Sequence, residues 1–299
     1  MAYRTGEASL LDLMLESTFV HIQGIGETTE KSLWDQGCRT WDHLEEMAGD
    51  IFGAKRATTT LMALEESREA LAAGEMQYFH ERLGNAHAWR LINRCEDAIA
   101  YLDIETTGMG MPPMSHSTSV AVSFKGELFV EHETEKKRLL FEKLESEAKM
   151  WCTFNGLCFD LPFLRRELGL RFSQPHVDLR VWMRRCGYKG GLKKIQQQFP
   201  DVRQRESMDI DGFDAVRLWR MHKRGVPGAL ETLMTYNAED TVVLEQLLNK
   251  CWSMECEKLP NMGLNPRPEA VLPEIVTKID TNVYDLLRAR TAWEVPSDW

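Results

Sequence analysis

What the chain lacks narrows its reading first. No apolar run reaches the roughly 18 residues that a membrane-spanning helix needs, so no membrane helix is expected. The first twenty residues carry Glu7, Asp12 and Glu16, and they do not read as a signal peptide. There is no C-x-x-C pair. The seven cysteines are odd in number, and Cys251 and Cys256, close together near the end, have no histidine nearby in sequence. Free thiols in a reducing cytoplasm are therefore expected in place of a disulfide frame or a zinc site. Positive charge is in short supply: 36 Lys and Arg stand against 46 Asp and Glu, a net charge of −10. That balance argues against a protein that coats nucleic acid. Internal repeats and low-complexity tracts are also absent.

What is present fits a globular protein. The 299 residues exceed one average domain and suffice for a sizeable core. Hydrophobic residues make up 43% and charged residues 27%, both ordinary values. Charge is unevenly placed. Residues 1–50 hold Arg4, Lys31 and Arg39 against ten acids, whereas residues 165–205 hold eleven basic residues against Glu167, Asp178 and Asp201.

The pattern along the chain divides it into three. Leu10, Leu11, Leu13, Met14 and Leu15 open a helix that the turn Ile22-Gln23-Gly24-Ile25-Gly26 breaks. A second helix is predicted from Glu27 to Gln36, ended by Gly37, and a third from Trp41 to Met47 with Thr40 as its N-cap. Residues 54–95 read as helical. From residue 98 the pattern turns to strands: Ala98 to Leu102, then Ser119 to Phe124 and Leu128 to Val130 around the hairpin signal Lys125-Gly126. A helix over 134–149, a strand from Met150 to Phe154, a helix from about Pro162 and a short strand Val177-Asp178-Leu179 follow. Helices are predicted to about residue 250, then a proline-bearing tail with a helix around Val283 to Arg290. The expectation is an α/β fold, a mixed sheet flanked by helices. A helical N-terminal region (1–97) precedes it and a C-terminal extension (251–299) follows it.

Three short segments carry chemistry. In Leu102-Asp103-Ile104-Glu105-Thr106-Thr107-Gly108, two acids separated by one residue on a strand project to the same face. In Thr153-Phe154-Asn155-Gly156-Leu157-Cys158-Phe159-Asp160, an aspartate stands just before a helix. In Tyr236-Asn237-Ala238-Glu239-Asp240, tyrosine and aspartate lie four apart on one helix face, and Glu239 points elsewhere and reads as solvated. Each segment alone has a plain structural reading: acids at a strand end, an N-cap, a core tyrosine beside a surface acid.

Taken together and in order, the three resemble the motifs of the DEDD family of 3′–5′ exonucleases, D-x-E, N-x₃-F-D and Y-x₃-D. Tyr236, four before Asp240, is similar to the tyrosine branch; Thr235 stands where the histidine branch has its histidine. The Gly24-Ile25-Gly26 segment, the phrase LDIETTG and the YNAED helix look most like the YprB-like bacterial group of ribonuclease-H-like nucleases. The resemblance covers about residues 98–250. It implies a ribonuclease-H-like fold and two Mg²⁺ or Mn²⁺ ions held by Asp103, Glu105, Asp160 and Asp240. Oxygen donors suit such hard cations. It also implies that Tyr236 orients the attacking water and that Thr106, Thr107 and Asn155 contact substrate.

The basic stretch offers a backbone path for nucleic acid, with Gly190-Gly191 and Lys193 at a phosphate. A solvated helix face is the alternative. Trp182, Trp219 and Tyr188 read either as base-stacking or as core residues. His176 and Asp178 are expected to support structure. Gly24-Ile25-Gly26 resembles the phosphate-gripping turn of a helix-hairpin-helix, although the acidic surroundings oppose that use. The expected activity is 3′–5′ exonucleolytic cleavage of DNA or RNA, with single-stranded 3′ ends as substrate and a cytoplasmic location. An endonuclease of the wider class, or a catalytically silent module binding nucleic acid or a protein partner through residues 1–97, are the competing readings.

Overall fold

The computed structural model of the chain describes residues 13–206, 210–262 and 264–289. Leu10 and Leu11, at the start of the first expected helix, and Arg290, at the end of the last, lie outside the described residues.

The N-terminal part is helical: α1 (Leu13–Glu16), α2 (Glu27–Asp35), α3 (Trp41–Ile51), α4 (Ala54–Ala72), α5 (Met76–His87) and α6 (Ile92–Cys95). Thr40 caps α3, its hydroxyl accepting from His43 N at 3.3 Å, and the helix runs one turn beyond the expected Met47. A buried ion pair ties this part together. Glu30 on α2 accepts from Phe19 N at 2.7 Å and from both terminal nitrogens of Arg90, at 2.9 and 2.7 Å. The ring nitrogens of Trp34 and Trp41 donate to the carbonyls of Ser17 and Thr18 in the same loop.

The second part alternates strand and helix: β1 (Ile99–Thr106), β2 (Ser117–Phe124), β3 (Glu127–Glu131), α7 (Thr134–Glu147), β4 (Met150–Thr153), α8 (Asp160–Leu168), β5 (His176–Asp178), α9 (Leu179–Arg185), α10 (Leu192–Gln196), α11 (Gly212–Lys223), α12 (Ala229–Lys258) and α13 (Thr281–Arg288). The sheet order is β3-β2-β1-β4-β5. The β1–β2 and β2–β3 pairs are antiparallel, and the β1–β4 and β4–β5 pairs are parallel. The predicted hairpin turns at Lys125 and Gly126, with φ of 51° and 78°, the paired positive values that match the twist of the flanking strands.

Strand alternation divides β1 between two cores. Ala100, Leu102 and Ile104 face α7 and α8, packing with Phe141, Leu144 and Phe163. Ile99 and Tyr101 face the other way, packing with Val243, Leu244 and Leu247 of α12 and with the N-terminal helices. Asp103 and Glu105 continue this second row past the apolar core. The thirty-residue α12 runs beyond the expected end near residue 250, and its residues from Thr235 to Leu244 are buried all round. They lie between the sheet and a third cluster, in which Leu233 and Tyr236 meet Leu218 of α11 and Val283 of α13. No helix among the described residues is long and apolar enough to cross a membrane.

Removing one partner of a buried ion pair strands the other charge, at a cost of about 3–5 kcal/mol. Arg90→Met is therefore expected to lower the unfolding free energy by about 3 kcal/mol in urea denaturation. A loss within the scatter of the measurement would remove the Glu30–Arg90 pair from the account of the N-terminal core.

Candidate active site

The parallel partner of β1 stops early. β4 pairs with Ile99, Ala100 and Tyr101 only, so the β4-side edge of β1 beyond Tyr101 has no neighbouring strand. Asp160 fills part of that gap, its Oδ1 accepting from Ile104 N at 3.1 Å. Asp160 is thus the first residue of α8 and a strand-edge acceptor; Phe159, not Asp160, occupies the N-cap position. The turn that delivers it is exact in its needs. A Cβ on Gly156 would lie 2.3 Å from Thr153 Oγ1, so only glycine fits. Asp178 accepts from the amides of Asn155 and Leu157 at 2.8 and 3.1 Å, and His176 Nε2 lies 2.9 Å from Thr153 Oγ1. Both residues therefore have the structural roles expected of them.

On the opposite side of β1, α12 brings its acid into place. Oxygens of Asp103, Glu105 and Asp240 lie within 4.8 Å of one another. Asp103 and Glu105 are partly exposed, and Asp240 and Asp160 are buried. Asn237 donates from Nδ2 to Asp103 Oδ2 at 2.7 Å and accepts from Ser119 Oγ at 2.7 Å, linking α12, β1 and β2. Arg205, in the segment between α10 and α11, pairs its Nη1 with Asp240 Oδ1.

Electrostatics record the crowding. Desolvation first, and then repulsion from Asp240, Asp160 and Glu105, holds Asp103 well above the usual carboxylate range, against the pull of Asn237. Glu105 is raised well above that range by desolvation, Asp240 and Asp160, with Arg205 opposing. Burial pushes Asp160 up to about 7, although amide hydrogen bonds draw it back. Burial also pushes Asp240 up to about 6, against the pull of Arg205, Tyr236 and Lys193. Tyr236 is buried, and its phenol is driven far above its ordinary value by burial and by Asp240 and Glu105. In the metal-free protein it therefore keeps its proton.

The residues expected to contact substrate are engaged in shaping loops. Thr106 Oγ1 donates to Gly108 O at 2.8 Å. Thr107 Oγ1 accepts from His116 N at 3.1 Å. Asn155, at φ 70°, accepts from Arg180 Nη1 at 2.6 Å. Lys193 on α10 lies near enough to Asp240 to lower its pKa. Of the aromatic candidates, Trp182 is buried and stacks on Trp89 at 5.7 Å, while Tyr188, 4.8 Å from Phe199, and Trp219, against the cluster around Leu218, are half-buried.

Three residues of the site carry a weak or misleading signal in the sequence. Glu239 is buried, not solvated, and accepts from Glu206 N at 2.8 Å. The α12 face that holds Asp240 also holds Asn237, three residues earlier, and helical spacing is the signal that finds it. Arg205 belongs in sequence to the basic stretch, but it is 7% exposed and turned into the acids. No local pattern marks it, because its partner lies thirty-five residues on.

The donor set fits hard divalent cations: all oxygen, strongly repelling, and partly open to solvent. Raised carboxylate pKa values oppose folding. Between the unfolded values near 4 and the raised folded values, the unfolded chain sheds protons that the folded chain retains, so stability falls as pH rises. With a chelator present, Asp103→Asn is expected to be more stable than the parent by on the order of 1–2 kcal/mol at about pH 8, the gap shrinking toward about pH 5. Adding Mn²⁺ should close or invert the gap, because the cation needs deprotonated ligands. Thermal unfolding of the pair across pH checks this; a parent more stable than Asp103→Asn in chelator at about pH 8 contradicts it.

No curated protein matches the chain. A family model for the RNase_H superfamily does, over residues 100–252, slightly more than half of the 299 residues. The matched stretch takes in the sheet from the second residue of β1 onward, and Asp103, Glu105, Asp160 and Asp240. The helix-flanked mixed sheet and the acidic cluster agree with that match, and the chain belongs to the RNase_H superfamily.

Proposed function

We propose that the protein is a metal-dependent 3′–5′ exonuclease that hydrolyses phosphodiester bonds of DNA or RNA. The observation that carries this reading is the meeting of Asp103, Glu105 and Asp240 within 4.8 Å, with Asp160 bound to the amide between the first two. Asp103, Glu105, Asp160 and Asp240 would hold two divalent cations, Mg²⁺ or Mn²⁺. When bound, such ions supply an activated water and stabilise charge on the leaving oxygen. The 3′ polarity rests on the resemblance of the motifs to the tyrosine branch of the DEDD exonucleases.

The chain's own groups have separable tasks in this reading. Asn237 fixes one oxygen of Asp103 and thereby its orientation toward Glu105. Asp160 is positioned by a backbone amide, so its place depends on the strand and not on a flexible partner. Tyr236 is a buried phenol beside Asp240, which suits it to orient a water by hydrogen bonding. Lys193, Arg180 and neighbouring basic residues offer sequence-independent attraction for the nucleic-acid backbone.

Degradation of end-labelled oligonucleotides tests the reading. With Mg²⁺ or Mn²⁺, 3′-end shortening is expected, with circular substrates resistant. Asp103→Ala is expected to abolish it, and cleavage at the parent rate would remove Asp103 from the site. Tyr236→Phe is expected to leave Mn²⁺ binding intact while slowing turnover about 10²-fold, the low end for the loss of one oriented donor. Equal turnover would take the phenol out of the mechanism.

A further inference from the structure

The acid cluster already contains a cation belonging to the chain. Arg205 is one of its buried charged residues, and its anchors come from two directions. Its Nε donates to Gln196 Oε1 on α10 at 2.6 Å, and Gln196 is itself held through Nε2 on Arg203 O at 2.5 Å. Its Nη1 pairs with Asp240 on α12. The next residue, Glu206, donates its amide to Glu239 on the same helix at 2.8 Å. The guanidinium carbon lies 5.9 Å from the centre of the Tyr236 ring. This is a placed side chain, not a surface arginine that has drifted inward.

One of its donors is left over. A guanidinium presents its N–H groups in a fixed plane, and Arg205 Nη2 is buried with no hydrogen-bond partner among the described residues. An unfilled buried donor on a charged group is costly, and the cost is relieved when an acceptor arrives. The acceptors that match the planar fork are carboxylates and phosphates. Charge balance favours the second. Four carboxylates are matched by two divalent cations, which leaves the arginine's single positive charge to be matched by the single negative charge of one phosphodiester.

We propose that Arg205 is a substrate-contacting residue, its Nη2 donating to a non-bridging oxygen of the phosphodiester seated at the acid cluster. This rests on the nuclease reading and adds to it a second, protein-borne charge at the reacting phosphate. Such a group stabilises charge where it develops, and losing one oriented donor of this kind lowers turnover about 10²- to 10³-fold. The plain alternative is a permanent counter-ion that only neutralises Asp240.

Three measurements on the parent, Arg205→Gln and Arg205→Lys separate the two. They are Mn²⁺ binding to the protein alone by calorimetry, affinity for a fluorescent single-stranded phosphorothioate oligonucleotide in Ca²⁺ by anisotropy, and turnover in Mg²⁺. Substrate contact predicts that Arg205→Gln binds Mn²⁺ at least as tightly as the parent. It also predicts oligonucleotide affinity weaker by about tenfold and turnover down by about 10²-fold or more. Arg205→Lys, which keeps a cation beside Asp240 but not the fork, is expected to keep most of the oligonucleotide affinity yet recover little turnover. It carries the test should Arg205→Gln fail to fold. Parent-like oligonucleotide affinity and turnover in both variants would overturn the proposal, as would loss of Mn²⁺ binding in step with oligonucleotide binding. Arg205-dependent oligonucleotide binding by a parent that degrades nothing would leave this contact standing while the nuclease reading falls.

Discussion

Carboxylates held within a few ångströms of one another repel, and every element around β1 opposes that repulsion. The strand sets Asp103 and Glu105 on one face by simple alternation. The early end of β4 leaves an amide that draws Asp160 to the other side. The long α12 is buried on all sides from Thr235 to Leu244, so it cannot retreat to relieve the clash of Asp240 with Asp103. Within the protein, Asn237 and Arg205 offset part of the repulsion, one as a neutral donor and one as a charge. Burial first, and the remaining repulsion second, displace the carboxylate pKa values upward, and a divalent cation would relieve both.

The helices before the sheet are continuous with this arrangement in physical terms. Phe79, Trp89 and Ile92 belong to the same core as Ile99, Tyr101 and Leu247, so the row of β1 that ends in the acids begins against the N-terminal helices. Glu30 and Arg90 close that core from within. Rigidity at the base of β1 and α12 is what keeps two acids on one element and one on another in a fixed relation.

Much of this was legible in the residues, for reasons that can be named. Period-two alternation and the Lys125-Gly126 turn marked the hairpin, and strand-helix alternation marked the mixed sheet. The three acidic segments stood out because each couples acids to a definite local geometry. Boundaries were less legible. The strand β1 extends through the acids to Thr106, because pairing with β2 carries on to Ser117 after a bulge. Long-range partners left no local trace. Glu239 looked solvated by helical phase, yet α12 has protein on that side and the Glu206 amide meets it. Arg205 looked like part of a charged surface, because its role depends on a fold that returns it to Asp240. Of the aromatic residues that read two ways in sequence, Trp182 falls to the core and stacks on Trp89, while Tyr188 and Trp219 are half-buried at its margin.

Diffraction from crystals grown with Mn²⁺, with data collected at the manganese absorption edge, tests the central claim most directly. Two anomalous peaks about 3.5–4 Å apart, between Asp103, Glu105, Asp160 and Asp240, are the predicted result. Crystals soaked in excess Mn²⁺ that show no anomalous density among these four side chains would contradict it.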